Sequence, residues 1–251
     1  MTSTAINTSD RFRIGGVFNG IFAVISRNPV LCIGLALLFY ALPKFCFTLW
    51  YRQAFGYGDF GFSAQEIAAT IVGIAGYIVL AAILDVALIR VATEDLAGKR
   101  PAARDCLAAA IALLVPATVL ELLVNAAFTL GLILLVAPGL FLLVRWSVAM
   151  VVLTLERQAV LSSLARSRDL TAGSRWSLLA IWVALLVASF SIRYMLDRLF
   201  GPTHGPWSLL VDILAGAIET MVMSIAPAAM YIELRRVKEG ASVDELSEIF
   251  S

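Results

Sequence analysis

Between Leu107 and Leu155 the only charged side chains are Glu121 and Arg145, set in a run of Leu, Val, Ala, Ile and Phe. A third buried-type charge, Glu219, lies inside a later apolar stretch from Trp207 to Leu234. An ionised group at the centre of a bilayer costs about 2.5–3.5 kcal/mol on insertion scales, so each of these is expected to find a partner or a protein interior. At ~1.5 Å of rise per residue, Glu121 lies about 21 Å from the start of its span, Arg145 about 16 Å from the end of the next, and Glu219 about 23 Å from the end of the last. The similar depths predict a Glu121/Arg145/Glu219 cluster inside a helical bundle. It has two readings: a polar pocket for a lipid headgroup or a proton-coupled site, or a structural ion pair that fixes the helix arrangement. Arg193 and Asp212 fall nearer the outer ends of their spans and are expected to form a charge pair there.

Other chemistries find little support. His204 is the single histidine. That removes the His-based zinc motifs and a Ser-His-Asp triad, and its Gly-Pro-Thr-His-Gly-Pro setting reads as a loop. The cysteines Cys32, Cys46 and Cys106 have no CxxC spacing and fall in or beside apolar helices, so free thiols packed as small hydrophobes are expected. Gly98-Lys99 lacks the upstream glycine and the following Ser or Thr of a phosphate-binding loop. Catalytic residues, metal ligands and cofactors are therefore all expected to be absent, and with no readable nucleophile and base an enzyme is the disfavoured class.

The elements that must position these charges are membrane helices. The chain is 61% hydrophobic with 15% charged residues, against about 25% charged in soluble domains. Six apolar segments are each long enough, or nearly so, to cross a ~30 Å hydrocarbon core: residues 29–49, 67–89, 107–136, 140–155, 176–196 and 207–234. Ala137-Pro138-Gly139 marks the boundary of the third and fourth as a turn or a helix break. Pro43, Pro116 and Pro227 sit inside spans one, three and six, where each removes a backbone hydrogen bond. Ala69, Gly73 and Gly76 make a small-residue face on span two, suited first to packing within the chain and second to a homo-oligomer.

An even number of spans leaves both termini on one side. Arginines and lysines crowd that side, among them Arg27, Arg90, Arg104, Arg166 and Arg236, while Lys44, Arg52, Arg193 and Arg198 fall opposite. The positive-inside rule then places both termini in the cytoplasm. The expected organisation is an amphipathic amino-terminal helix within 1–28, a transmembrane domain 29–236 with an interfacial helix at 157–173, and a tail 237–251. Ser242 and Glu245 there form a capping box for a short helix. With Asn19 and Gly20 interrupting the first apolar stretch, the start of the chain reads as mature sequence rather than a signal peptide. The fold class is all-α, a polytopic transmembrane helical bundle with interfacial helices on the cytoplasmic side. No basic patch stands apart from the membrane flanks, which excludes nucleic acid as a partner.

Ala137-Pro138-Gly139, Arg145-Trp146, Glu156 and the run from Leu164 to Trp176, with Ser167, Thr171 and Gly173 inside it, resemble the glycerophosphoryl diester phosphodiesterase membrane-domain family, which includes YciC-like bacterial inner-membrane proteins. Tyr231, Glu233-Leu234-Arg235 and Glu239-Gly240 are similar to that family's terminal pattern. The motifs cover about a third of the chain, and Arg168 departs from the pattern, which leads us to expect an aromatic there. The resemblance implies a polytopic protein of the bacterial inner membrane without an established activity. Phosphodiesterase chemistry belongs to a barrel fused to this domain in some members, and this sequence holds no barrel. The leading expectation is a non-enzymatic, accessory protein that engages membrane lipid or anchors a protein partner at its cytoplasmic face. The alternative is a transporter or lipid-handling permease using Glu121, Arg145 and Glu219.

Overall fold

A computed structural model describes residues 12–56, 63–200 and 206–239, and among them every regular element is helical. His204 and the tail around Ser242 and Glu245 lie outside the described residues. Among the described residues six helical stretches are long and apolar enough to cross a membrane: Pro29–Phe55, Ala64–Leu96, Leu114–Leu134, Ala137–Glu156, Arg175–Phe200 and Trp207–Glu239. Their surfaces carry exposed Val30, Val72, Ile133 and Phe190, as expected of helices whose solvent is lipid. The chain is an integral membrane protein with an all-α, polytopic architecture.

Several spans are broken, the first of them beside a proline. The first consists of α2 (Pro29–Ala36), a π-helical turn (Leu37–Ala41) and α3 (Leu42–Phe55). Pro43 cannot donate to the carbonyl four residues back, and the widened turn lies directly before it. α4 (Ala64–Leu96) opens with a capping box in which Ser63 and Glu66 exchange side-chain and backbone hydrogen bonds. The segment expected to run unbroken from Leu107 to Val136 is instead α5 (Ala103–Ala112) and α6 (Leu114–Leu134), parted at Leu113. Pro116 then falls in the first turn of α6, where a missing N–H is least costly. The chain reverses at the extended Leu135, two residues before the expected boundary, so Ala137, Pro138 and Gly139 form the first turn of α7 (Val136–Arg145). After Trp146–Val148 it resumes as α8 (Ala149–Glu156). Arg157 in the left-handed conformation, φ 49°, ends α8 and turns the chain into α9 (Val160–Thr171). α10 (Arg175–Phe200) and α11 (Pro206–Glu239) complete the bundle, and α11 stays continuous through Pro227.

α1 (Ile14–Arg27) packs against the carboxyl-terminal ends of α4 and α11. Val17, Ile21 and Val24 of α1 are buried there, and a Cβ on Gly20 would stand 3.5 Å from that of Ala229. Polar contacts hold both ends of α1. The Arg13 backbone N–H donates to Glu233 at 2.8 Å, while Arg27 pairs with Asp95 at 3.4 Å and Asn28 donates to Asp95 at 2.7 Å. α1 is therefore a helix packed on the bundle. In α8, Ala149, Val151, Val152, Leu153 and Thr154 are buried between α4, α9 and α11. Cys106 of α5 is fully buried in the same core; burial, followed by nearby Glu94, pushes its thiol up to about 12.

Candidate functional site

The helices bring polar side chains together at two places. The first is a seam inside the spans. Lys44 of α3 donates to the Tyr40 hydroxyl at 3.1 Å and pairs with Asp212 of α11 at 3.2 Å. Arg193 of α10 pairs with the other oxygen of Asp212 at 3.1 Å and donates from Nε to Glu219 at 2.9 Å, with a second contact from Nη2. Two cations thus balance two carboxylates. Their side chains retain between 28% and 39% exposure on the flank of the bundle. At ~1.5 Å per residue Asp212 lies about 8 Å and Glu219 about 18 Å along α11 from the interfacial Trp207, so the seam descends from one membrane face toward the middle.

Tyr40 reaches this seam because the π-helical turn rotates it onto Gly216, whose missing side chain leaves the space its ring occupies. Tyr77 meets Tyr40 edge to face, with centroids 6.4 Å apart. It lies within electrostatic range of Asp85, Glu121 and Glu219. Asp85 bonds with the Ser224 hydroxyl, and Glu121 accepts from Asn125 at 2.8 Å. Among the described residues neither Asp85 nor Glu121 has a cation within ion-pair distance. A small cavity of about 70 Å³ opens between α10 and α11, touching Arg193, Asp197, Ser208 and Asp212 but neither Glu121 nor Glu219.

Of the three charges expected to cluster, Glu219 takes Arg193 as its cation and Glu121 accepts from Asn125 of its own helix, so the two acids do not share a partner. Arg145 forms no ion pair with either acid. It ends α7, and its guanidinium lies over the Phe141 ring. The expected Arg193/Asp212 pair is present at 3.1 Å. Tyr40 and Tyr77 escaped the sequence reading, and Lys44 and Asp85 entered it only by their depth in the membrane; the register between helices is what joins them.

The second place gathers several of the motif residues, which lie far apart in the chain. Glu156 accepts from Tyr231 of α11 at 2.9 Å, from Gln158 at 2.9 Å and from Arg166 of α9 at 3.4 Å. Arg166 also pairs with Glu239, which Arg235 contacts at 2.6 Å. Burial opposes the charge on Arg166, but Glu239 and Glu156 outweigh it and hold the guanidinium above its ordinary range. Ser167 donates to the Arg145 carbonyl at 3.0 Å, with Thr171 at 3.5 Å from the same oxygen. Those bonds have a clear cause: α7 breaks at Trp146, so its last carbonyls have no intrahelical donor and α9 supplies one.

The remaining motif positions serve the backbone. A Cβ on Gly131 would stand 2.8 Å from the Cα of Gly139, so the glycines let α6 and α7 close, with Pro138 starting the second helix. Gly173, φ 94°, carries the chain out of α9, and Trp176 at the head of α10 is 83% exposed. Compared with protein-family models, with curated proteins and with solved structures, the chain matches none.

Proposed function

We propose that the chain is a non-enzymatic, accessory protein of a bacterial inner membrane that engages membrane lipid, with both ends on the cytoplasmic side and membership of the YciC-like family. The observation that carries the lipid reading is the Lys44/Asp212/Arg193/Glu219 seam. Its charges are paired, which serves stability, yet among the described residues they stay partly exposed, open to lipid headgroups and to the water that follows a polar surface inward. The family reading is supported by the convergence of Glu156, Tyr231, Arg166 and Glu239 on one network, which gives those motif residues a shared structural task. Native mass spectrometry of the protein taken from its own membrane tests the function: a stoichiometric lipid is expected. Recovery without lipid overturns the reading, and recovery with a second protein moves the role to partner anchoring.

A transporter is the second reading, favoured by Asp85 and Glu121, two acids within spans that among the described residues have no cation within ion-pair distance. The small cavity weighs against it, since it does not reach them. Proton flux in proteoliposomes, abolished by Asp85→Asn or Glu121→Gln, would promote it over the accessory role.

A further inference from the structure

Arg145 and Arg175 converge on one aromatic ring without a counter-charge. The Arg145 guanidinium lies 6.0 Å from the Phe141 centroid and that of Arg175 lies 5.4 Å from it. The Nε of each is buried and has no hydrogen-bond partner. Among the described residues no carboxylate stands within ion-pair distance of either. Buried donors without acceptors are costly and no carboxylate offsets either charge, so an anion reaching the outer guanidinium nitrogens would supply what the fold itself does not. Arg175 also opens α10, whose first backbone N–H groups lack intrahelical acceptors and whose dipole presents its positive end there.

The surface that continues from this point is apolar. Trp176, Val183, Val187 and Phe190 recur at helical spacing on one face of α10 and are all exposed, and Phe141 itself is 46% exposed. A phosphate held by the arginines at the end of a membrane helix, with hydrocarbon below it, is the chemistry of a phospholipid. We propose that Arg145, Arg175 and Phe141 form a headgroup site for an anionic phospholipid, with an acyl chain along the Trp176/Val183/Val187/Phe190 face. The proposal rests on the lipid-engaging reading above and names the class of lipid and where it is held.

The test uses the whole protein in nanodiscs of phosphatidylglycerol and phosphatidylcholine in equal parts, with retained lipid counted by native mass spectrometry. The wild type is expected to retain phosphatidylglycerol in preference. Arg145→Gln with Arg175→Gln lowers that preference by roughly tenfold or more while retention of phosphatidylcholine persists. Arg157→Gln with Arg168→Gln removes the same charge from exposed positions and leaves the preference intact. Phe141→Leu, which keeps both charges, lowers it several-fold and serves where the double arginine variant does not fold. Inorganic phosphate in excess leaves the lipid bound. An unchanged preference in both the double arginine variant and Phe141→Leu, or an equal loss in the control pair, overturns the site. Displacement by inorganic phosphate reduces it to a free-phosphate site. A wild type that retains no lipid at all overturns the broader function as well.

Discussion

The hydroxyl of Tyr231 donates to Glu156 at 2.9 Å, joining the last span to the end of the broken fourth span. Tyr231 is 1% exposed, and the same carboxylate also receives Gln158 and Arg166. Tyr231→Phe removes one donor and leaves two, at a cost of about 0.6–1 kcal/mol in the range of interhelical hydrogen bonds. Glu156→Ala leaves all three donors without their acceptor and costs about 1–2 kcal/mol more. Thermal unfolding in detergent gives both values. A double-mutant cycle is expected to show coupling, because Tyr231→Phe has little left to lose once Glu156 is gone.

Arg193 is the shared cation of Asp212 and Glu219, whereas Asp212 has Lys44 as a second partner. Arg193→Gln is therefore expected to destabilise more than Asp212→Asn. The loss is put at about 1–2 kcal/mol, well below the value for a fully buried pair because these side chains are partly exposed. Equal melting temperatures for the two variants would show that the carboxylates do not depend on one guanidinium.

Glycines on the spans divide by what faces them. A Cβ on Gly131 meets the backbone of Gly139, which cannot swing aside as a side chain does, and one on Gly73 meets the Phe47 ring. Gly131→Ala is expected to cost about 1–3 kcal/mol by forcing α6 and α7 apart. Gly76 has nothing within 4 Å of its would-be Cβ, so Gly76→Ala is neutral or slightly stabilising. Chemical denaturation of the two variants checks the contrast. It also assigns the small face of span two: Gly73 packs within the chain, and a dimer interface there would show as a penalty at Gly76.

The three thiols differ in access. Cys46 is exposed, while Cys32 and Cys106 are buried. A small methanethiosulfonate reagent is expected to modify Cys46 alone in the folded protein. The Cys106 thiol is raised from 9.0 to about 12 by burial, so the unfolded chain ionises first as pH rises. Stability from this group is intact below pH 9 and declines between there and about 12, the sign set by the unfolded state holding fewer protons. The Cys106→Ser variant should show a shallower loss of stability in that window.

The apolar runs alone were enough to determine the helical class and the number of spans, because 20 or so residues without charge have one stable form in a bilayer and backbone groups there must bond within their own helix. They also marked Glu121, Arg145 and Glu219 as costly charges, and Pro43, Pro116 and Pro227 as places where a helix can kink, although α11 runs on through Pro227. Three things waited for the tertiary structure. The breaks at Leu113 and Trp146–Val148 carry no strong local signal, and at the second the carbonyl left free is taken up by Ser167 of α9. The partner of Glu219 was chosen by the register of α10 against α11, which placed Arg193 within reach and left Arg145 on Phe141. Depth along each helix is written in the chain, but rotation about its axis is set by packing against neighbours, and rotation decides which charges meet.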